Sequence, residues 1–414
     1  MSGEIENNER EILHLHVGSG GMEVGHSSWQ LYSIEHHLDN DGYVLNEEKP
    51  PKSFFSSMNN DNNERKKFRP RALFIDTDCS TIDQIRTSDL KNFYADHQFC
   101  VTSDCSEMLM NNIRKEIEIC DYFQGFILSH STFGKSSNLT SELLNHLKNE
   151  EYSKMTILTN SLIGSSINIS HMSNLLETAD IVIPMENKAI SNLCKYRLDI
   201  STPTYSNINQ LISYCWSNLT CELRFEGCAL GTLDEFSRVL VPHPPLKIIS
   251  THLLPLIPRR FQDDIDFKSP SVYDMCIPFI SEANTCFIHD NNPYKLVLSL
   301  CLLFRGEKIV PKEIGQKLIC DMKKSIRFSE RVPTGFRCGI NYHPPVQFRH
   351  QTDMTLTDKQ VLMLTNQTTT SIYLCDLALN QTESEIDEAR NSIQDLKEFY
   401  AEYDKEIRQD YQML

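Results

Sequence analysis

Phe126 to Ser141 reads FILSHSTFGKSSNLTS: an apolar strand, a short polar loop, and the opening of a helix that Leu143, Leu144 and Leu147 carry onward. A strand passing through a tight loop into a helix is the unit from which phosphate-binding loops are made. Such loops are rich in glycine, because glycine lets backbone N–H groups reach phosphate oxygens at angles a side chain forbids. This loop keeps one glycine, Gly134. It sets Lys135, Ser136, Ser137 and Asn138 where close backbone approach would be needed. Gly134-Lys135-Ser136 lacks the upstream glycine of a Walker loop and carries no assignment by itself. The outline of a phosphate loop is present without its content.

The same unit recurs upstream and downstream. Ile12–Val17, Ala72–Asp76, Gly125–His130, Met155–Thr159 and Ile181–Pro184 are short apolar runs, each followed by a polar loop and a helical segment. That alternation predicts a doubly wound parallel sheet, an α/β fold. Ligands of such sheets bind beyond the carboxyl ends of the strands, where Gly18, Asp76 and His130 fall. A long helix is predicted from about Asn207, since Ile208, Leu211, Ile212, Cys215, Leu219 and Leu223 recur at helical spacing. Strands return at Leu246–Leu254, Lys295–Phe304, Ser325–Phe328, Gly335–Asn341 and Gln360–Leu364 and predict a second, mixed domain. Glu47–Lys67 is polar and lysine-rich and reads as a mobile surface loop.

Composition narrows the function classes. The 414 residues carry a formal charge of -16 and a pI near 5.3, which argues against a nucleic-acid role. Hydrophobic content of 40% and charged content of 23% are those of a soluble globular chain. No apolar run approaches the roughly 20 residues of a membrane span, and the start MSGEIENNER is polar, so a cytoplasmic location is expected. The 14 cysteines include no C-x-x-C pair; Cys215, Cys221, Cys301 and Cys375 sit among apolar residues and read as reduced core thiols.

Several stretches together resemble the tubulin family. They are Glu11 to Trp29 (EILHLHVGSGGMEVGHSSW), Arg69 to Thr87 (RPRALFIDTDCSTIDQIRT), Leu198 to Ser213 (LDISTPTYSNINQLIS), Leu303 to Lys312 (LFRGEKIVPK), Pro333 to Pro345 (PTGFRCGINYHPP) and Asp387 to Arg390 (DEAR). Arg224 to Phe236 reads RFEGCALGTLDEF, and Glu235 stands where the alpha type has glutamate and the beta type lysine. The resemblance implies a GTPase-like nucleotide domain over 1–202 and a core helix over 203–223. An intermediate α/β domain over 224–365 and a shortened C-terminal helical region over 366–414 complete it. It also implies a cytoskeletal role beside beta-tubulin in microtubules. The alternative is a tubulin-like pseudo-GTPase that touches tubulin or microtubule ends without polymerising.

On that resemblance, Gly18, Ser19, Gly20, Asp76, Asp78, Ser131, Gly134, Arg197, Tyr205 and Asn209 would form the GTP site, with Asp78 nearest the magnesium ion. Tyr205 would stack on the guanine and Asn209 would hydrogen-bond it. Arg197 stands where a second guanine-reading asparagine is usual, and arginine offers only donors. Ser19 and Glu23 replace glutamines, and a carboxylate near a triphosphate adds repulsion. The chain also lacks a phosphate-embracing loop between Arg86 and His130 and a sugar-binding loop between Lys154 and Glu177. Weak or lost GTP binding is therefore expected, and hydrolysis by this chain alone stays open. Glu235 would act in trans on the GTP of a beta-tubulin neighbour, positioning or activating the attacking water.

The last segment is regular. Ile386, Ala389, Ile393, Leu396, Tyr400, Tyr403, Ile407, Tyr411 and Leu414 alternate at steps of three and four, and Thr382 with Glu385 suits a capping box. The preceding stretch, Asn366 to Asp387, looks too short to cover that face. The face reads either as a helix packed on its own domain or as a coiled-coil surface over 386–414 that awaits a partner.

Overall fold

The computed structural model describes residues 10–411 apart from 47–49, 59–64, 150–151, 226–229, 265–269, 282–286, 289–295, 308, 330–331, 333–334, 350–352, 356 and 381–386. β1 (Glu11–Val17) runs into α1 (Gly18–Glu35). A hairpin of β2 (Phe55–Met58) and β3 (Lys67–Pro70) leads to β4 (Ala72–Asp76), α2 (Ser80–Arg86), β5 (Phe99–Val101) and α3 (Glu107–Glu118). β6 (Phe123–Ser131) is followed by α4 (Lys135–Asn149), β7 (Thr156–Ile163) by α5 (Ile169–Thr178), and β8 (Ile181–Glu186) by α6 (Asn187–Tyr196). Six of these strands pair in parallel in the order β5-β4-β1-β6-β7-β8.

Every residue of β1, β4 and β8 is buried, as a parallel sheet covered on both faces requires. Side chains alternate between two cores. Ile12, Phe74, Ile127 and Leu158 face α1; Leu13, Leu15, Ile75 and Leu128 face α4 and α5. The sequence-predicted doubly wound sheet is the one observed. The chain leaves β1 toward one edge and resumes from β6 toward the other, so the topological switch lies between β1 and β6.

The segment read as a mobile loop is partly built into the fold. Phe54 and Phe55 are fully buried against Trp29 and Tyr32, and β2 pairs with β3 in register Phe55 to Pro70. Two aromatic side chains anchored in the core outweigh the polar composition around them.

The core helix, α7 (Tyr205–Arg224), starts two residues before the expected Asn207, where Thr204 caps it and Asn207 completes a capping box. From Leu211 to Arg224 it is buried on all sides, as suits a helix between two domains. α8 (Leu233–Leu240) follows. The second sheet holds β9 (Ser250–Leu254), β10 (Leu296–Gly306), β11 (Arg327–Phe328), β12 (Gly335–Asn341) and β13 (Lys359–Gln367). β13 is antiparallel to β10 and β9, while β11 and β12 are parallel to β10. Among the described residues no helix is long and apolar enough to cross a membrane.

The C-terminal expectation of an unpaired coiled-coil face is corrected. Helices Thr368–Leu379 and Asp387–Tyr411 pack on each other and on α5. Ala389, Ile393, Leu396, Tyr400 and Tyr403 are buried with Leu374, Cys375, Met172 and Leu175. The stretch judged too short to cover that face supplies a twelve-residue helix that does so. Lys397 and Asp376 close the contact with an ion pair. The expected capping pair Thr382 and Glu385, Ile386 and Leu414, and the side chains of Ile407 and Tyr411, lie outside the described residues.

Candidate functional site

Two helix starts converge at the switch. α1 opens at Gly18 directly beyond β1, and α4 opens at Lys135, with three residues between it and the end of β6. Each start leaves backbone N–H groups without an intrahelical partner and carries the positive end of a helix dipole. Gly18 and Gly134 have φ of +74° and +78°, a region that glycine occupies without strain.

Their surroundings differ. A Cβ at Gly134 would meet nothing within 4 Å, so this glycine serves the turn alone. A Cβ at Gly18 would lie 2.5 Å from Ser136 Oγ, one at Gly20 2.7 Å from Ser131 Oγ, and one at Gly21 2.3 Å from the Ser129 carbonyl oxygen. The first turn of α1 is therefore pressed against the end of β6 and the first turn of α4. Ser136 sits over Gly18, in the gap between the two helix starts.

The remaining loop side chains bind one another. Ser137 Oγ donates to the Gly134 carbonyl (2.8 Å), and Asn168 Nδ2 reaches both Ser137 Oγ (3.1 Å) and Asn138 Oδ1 (3.0 Å). Ser19 and Lys135 are exposed at the helix starts. His130, the penultimate residue of β6, is buried. Its ring bonds Ser161 (2.9 Å) and His171 (3.1 Å), and His171 bonds Ser141 (2.7 Å). Burial lowers the pKa of His130 to about 4 and takes His171 well below its ordinary value, so both rings are neutral. His171 had no signal in the sequence; only the fold brings α5 to β6.

Beyond β4, burial raises the Asp76 carboxyl pKa even though Thr77 N–H donates to it at 2.7 Å. Asp78 is exposed, and the hydroxyl and N–H of Ser80 hold its pKa below the ordinary value. Among the described residues no three His, Cys, Asp or Glu side chains converge to hold a metal ion. The donor set fits magnesium carried in by phosphate, which needs only one or two protein carboxylates, and Asp78 is the accessible one.

At the far end of the crevice, Tyr205 is 72% exposed in the first turn of α7, and Asn209 Nδ2 donates to Glu23 Oε2 of α1 at 3.0 Å. Arg197 is the C-cap residue of α6, and burial lowers its pKa. The ten residues of α6 place it about 15 Å from that helix's start. Asn187, half-buried, holds the start itself, beyond the carboxyl end of β8. The strand-to-helix pattern at Ile181–Pro184 marks that junction in the sequence.

Glu235 lies elsewhere. It stands in the first turn of α8, exposed, where its Oε2 accepts the Gly231 N–H (2.8 Å) and its own N–H bonds Thr232 Oγ1 (3.2 Å). The Leu233 N–H bonds Gln124 Oε1 at 3.0 Å, which docks the start of α8 at the amino end of β6. Gly18, Ser131 and Gly134 lie at the carboxyl end, and nine residues of strand span about 30 Å. The crevice and Glu235 lie at opposite ends of the strands of one sheet.

Residues 11–195 match the GTPase domain of the Tubulin/FtsZ family, and residues 244–378 match the tubulin C-terminal domain. The chain is 32% identical to a tubulin alpha chain of Dictyostelium discoideum, covering 87% of this chain and 86% of that one. It is 31% identical to the tubulin alpha-8 chain of Caenorhabditis elegans, over 87% and 84%. It is 28% identical to a nucleomorph tubulin alpha chain of Guillardia theta, over 87% and 86%.

Proposed function

We propose that this chain, which belongs to the tubulin family and is alpha-tubulin-like, is a divergent cytoskeletal subunit that pairs with beta-tubulin in microtubules while binding GTP weakly or not at all in its own crevice. The observation that carries the nucleotide half is Ser136 over Gly18, in the gap between the two helix starts. The exposed Ser19 and Lys135 and the open turn at Gly134 leave a polar mouth, but the hydroxyl and amides of Ser137, Asn138 and Asn168 are spent on one another. Each missing phosphate hydrogen bond costs about 0.5–1.5 kcal/mol, and each 1.4 kcal/mol is about tenfold in affinity.

The Glu235 end of the sheet supports the other half. With Oε2 on the Gly231 N–H, Oε1 is left to accept a hydrogen bond from a water that attacks the terminal phosphate of a nucleotide held by a beta-tubulin neighbour. The carboxylate orients that water and takes its proton as the new P–O bond forms and the bond from the terminal phosphorus to the bridging oxygen breaks, leaving inorganic phosphate and the nucleoside diphosphate in the neighbour's site.

Co-sedimentation of the purified chain with microtubules assembled from beta-tubulin, together with nucleotide extraction, tests both halves. Incorporation along the lattice with substoichiometric GTP supports the proposal. Stoichiometric GTP carried through purification overturns the nucleotide half. Binding at ends alone favours the non-polymerising pseudo-GTPase reading.

A further inference from the structure

β6 opens with a bulge. Glu11 of β1 pairs with Phe123 and Ile12 pairs with Gly125, so Gln124 is an extra residue with no counterpart on β1. A bulge re-aims the side chain it carries, and bulges recur beside functional sites. At the next position a Cβ on Gly125 would stand 2.1 Å from the Thr156 carbonyl oxygen, so glycine lets β6 lie this close to β7 beside the bulge. Gln124 is half-buried, and its amide joins two other segments. Nε2 donates to the Arg10 carbonyl (2.7 Å), and Oε1 accepts the Leu233 N–H (3.0 Å). Leu233 is the first residue of α8, and the first N–H groups of a helix have no partner within it.

The other end of α8 is held by the second domain. The Leu240 carbonyl, in the last turn, accepts Ser299 Oγ of β10 (2.7 Å) and Asn366 Nδ2 of β13 (3.1 Å), and those two residues are partners across the sheet. α8 is thus a strut about 12 Å long between the two domains. Leu230, Leu233 and Phe236 are fully buried along it, but apolar contact is non-directional and does not fix a helix along its own axis. Gln124 is a directional tie at the end that carries Glu235. Two residues beyond that tie, Glu235 rests Oε2 on the Gly231 N–H, which fixes its carboxylate relative to the same first turn.

We infer that Gln124 is a positioning residue for Glu235: it locks the start of α8 to the nucleotide domain and so sets where the carboxylate meets the water that attacks a neighbour's nucleotide. This rests on the role of Glu235 in trans proposed above. Without the tie the start of α8 follows the second domain, and a displacement of about 1 Å at a reacting group is enough for a large loss of rate.

The test is GTP turnover by beta-tubulin, measured against rising concentrations of the full-length chain. It compares the wild type, Gln124→Leu, Glu235→Gln and the double variant. Gln124→Leu removes both amide bonds and is expected to lower turnover at saturation about three- to tenfold. Its half-saturating concentration should stay within about twofold of the wild type, since the loss falls on chemistry rather than association. In the Glu235→Gln background, Gln124→Leu should add no further loss, because the group it positions is gone. A further loss of the same size there shows that Gln124 acts through the fold as a whole, and overturns the inference. Full turnover with Gln124→Leu, beside a loss with Glu235→Gln, overturns the role of Gln124 and leaves that of Glu235 standing. If Glu235→Gln is itself without effect, the reading in trans falls and takes this inference with it. Should Gln124→Leu fail to fold, Gln124→Asn, one methylene shorter and out of reach of the Leu233 N–H, reads the same outcomes.

Discussion

Arg305 and Glu35 form an ion pair at 2.7 Å, with both side chains almost completely buried. Arg305 comes from β10 of the second domain and Glu35 from the end of α1. Arg224 of α7 joins the same carboxylate at 2.6 Å, and Ser217 Oγ donates to it at 2.5 Å. Burial alone would raise the Glu35 pKa, but Arg224 and then Arg305 reverse it, and the carboxyl is held below its ordinary value. Arg305 further donates to the carbonyls of His343 and Pro344. One carboxylate thus ties the nucleotide domain, the core helix and the second sheet together.

Removing it strands two buried guanidiniums. Glu35→Gln keeps the shape and loses the charge, and breaking a buried pair in this way costs about 3–5 kcal/mol. Urea unfolding should show that loss. A cost below about 1 kcal/mol, the range of a surface pair, would mean that solvent reaches the cluster.

The buried histidines predict acid sensitivity. His130 has a pKa of about 4 when folded and an unperturbed value of 6.5, and burial is the cause. Between those values the unfolded chain binds the proton and the folded chain does not, so stability falls as pH drops from 6.5 toward about 4 and levels below it. The shift corresponds to roughly 3 kcal/mol at 1.36 kcal/mol per unit. His171 shifts in the same direction and deepens the loss. Unfolding midpoints measured from pH 7 to pH 4 check this, and the double variant His130→Asn, His171→Asn should flatten part of the slope.

The sheet was legible because its code is local. Apolar runs followed by polar loops located β1, β4, β6, β7 and β8, and a stripe from Ile208 to Leu223 located α7. The single glycine of that loop, Gly134, located the turn between β6 and α4, where its φ is +78°. Other features depend on which elements the fold brings together. Ser136 over Gly18 joins two segments more than a hundred residues apart, and His130 with His171 joins β6 to α5. Phe54 and Phe55 were hidden inside a polar stretch, where average composition masks two anchoring rings. The covering of the final helix was misjudged because the length of the preceding segment was counted, while what that segment packs against was not.

Ser136→Gly should improve GTP binding. It removes the hydroxymethyl group 2.6 Å from where a Gly18 Cβ would stand and opens the gap between the helix starts. Regaining one or two backbone contacts to phosphate gives about tenfold in affinity. Against this stands about 0.5–1 kcal/mol of stability for glycine within a helix. Titration with GTP reads the gain, and equal affinity in both chains would show that the missing glycines at Lys135 and Asn138 dominate.

Glu235→Gln separates capping from chemistry. The amide oxygen can still accept the Gly231 N–H, so α8 keeps its first turn. The base is gone, so GTP turnover by beta-tubulin at the contacted end should fall while association persists. Equal turnover with the variant would refute the role in trans.

The final helix is held by its own chain, and its energetics should say so. Ile393 and Tyr400 are both 0% exposed, and Tyr400 Oη accepts the Ile248 N–H at 3.4 Å. Ile393→Ala leaves a cavity against α5 and the helix Thr368–Leu379, a change that costs about 2–5 kcal/mol in buried sites. Tyr400→Ala loses a ring and leaves the Ile248 N–H without its partner. Thermal unfolding should record both losses at any protein concentration. A midpoint that instead depends on concentration, or a variant that folds as stably as the wild type but loses an oligomer, would return this face to the role of a docking surface.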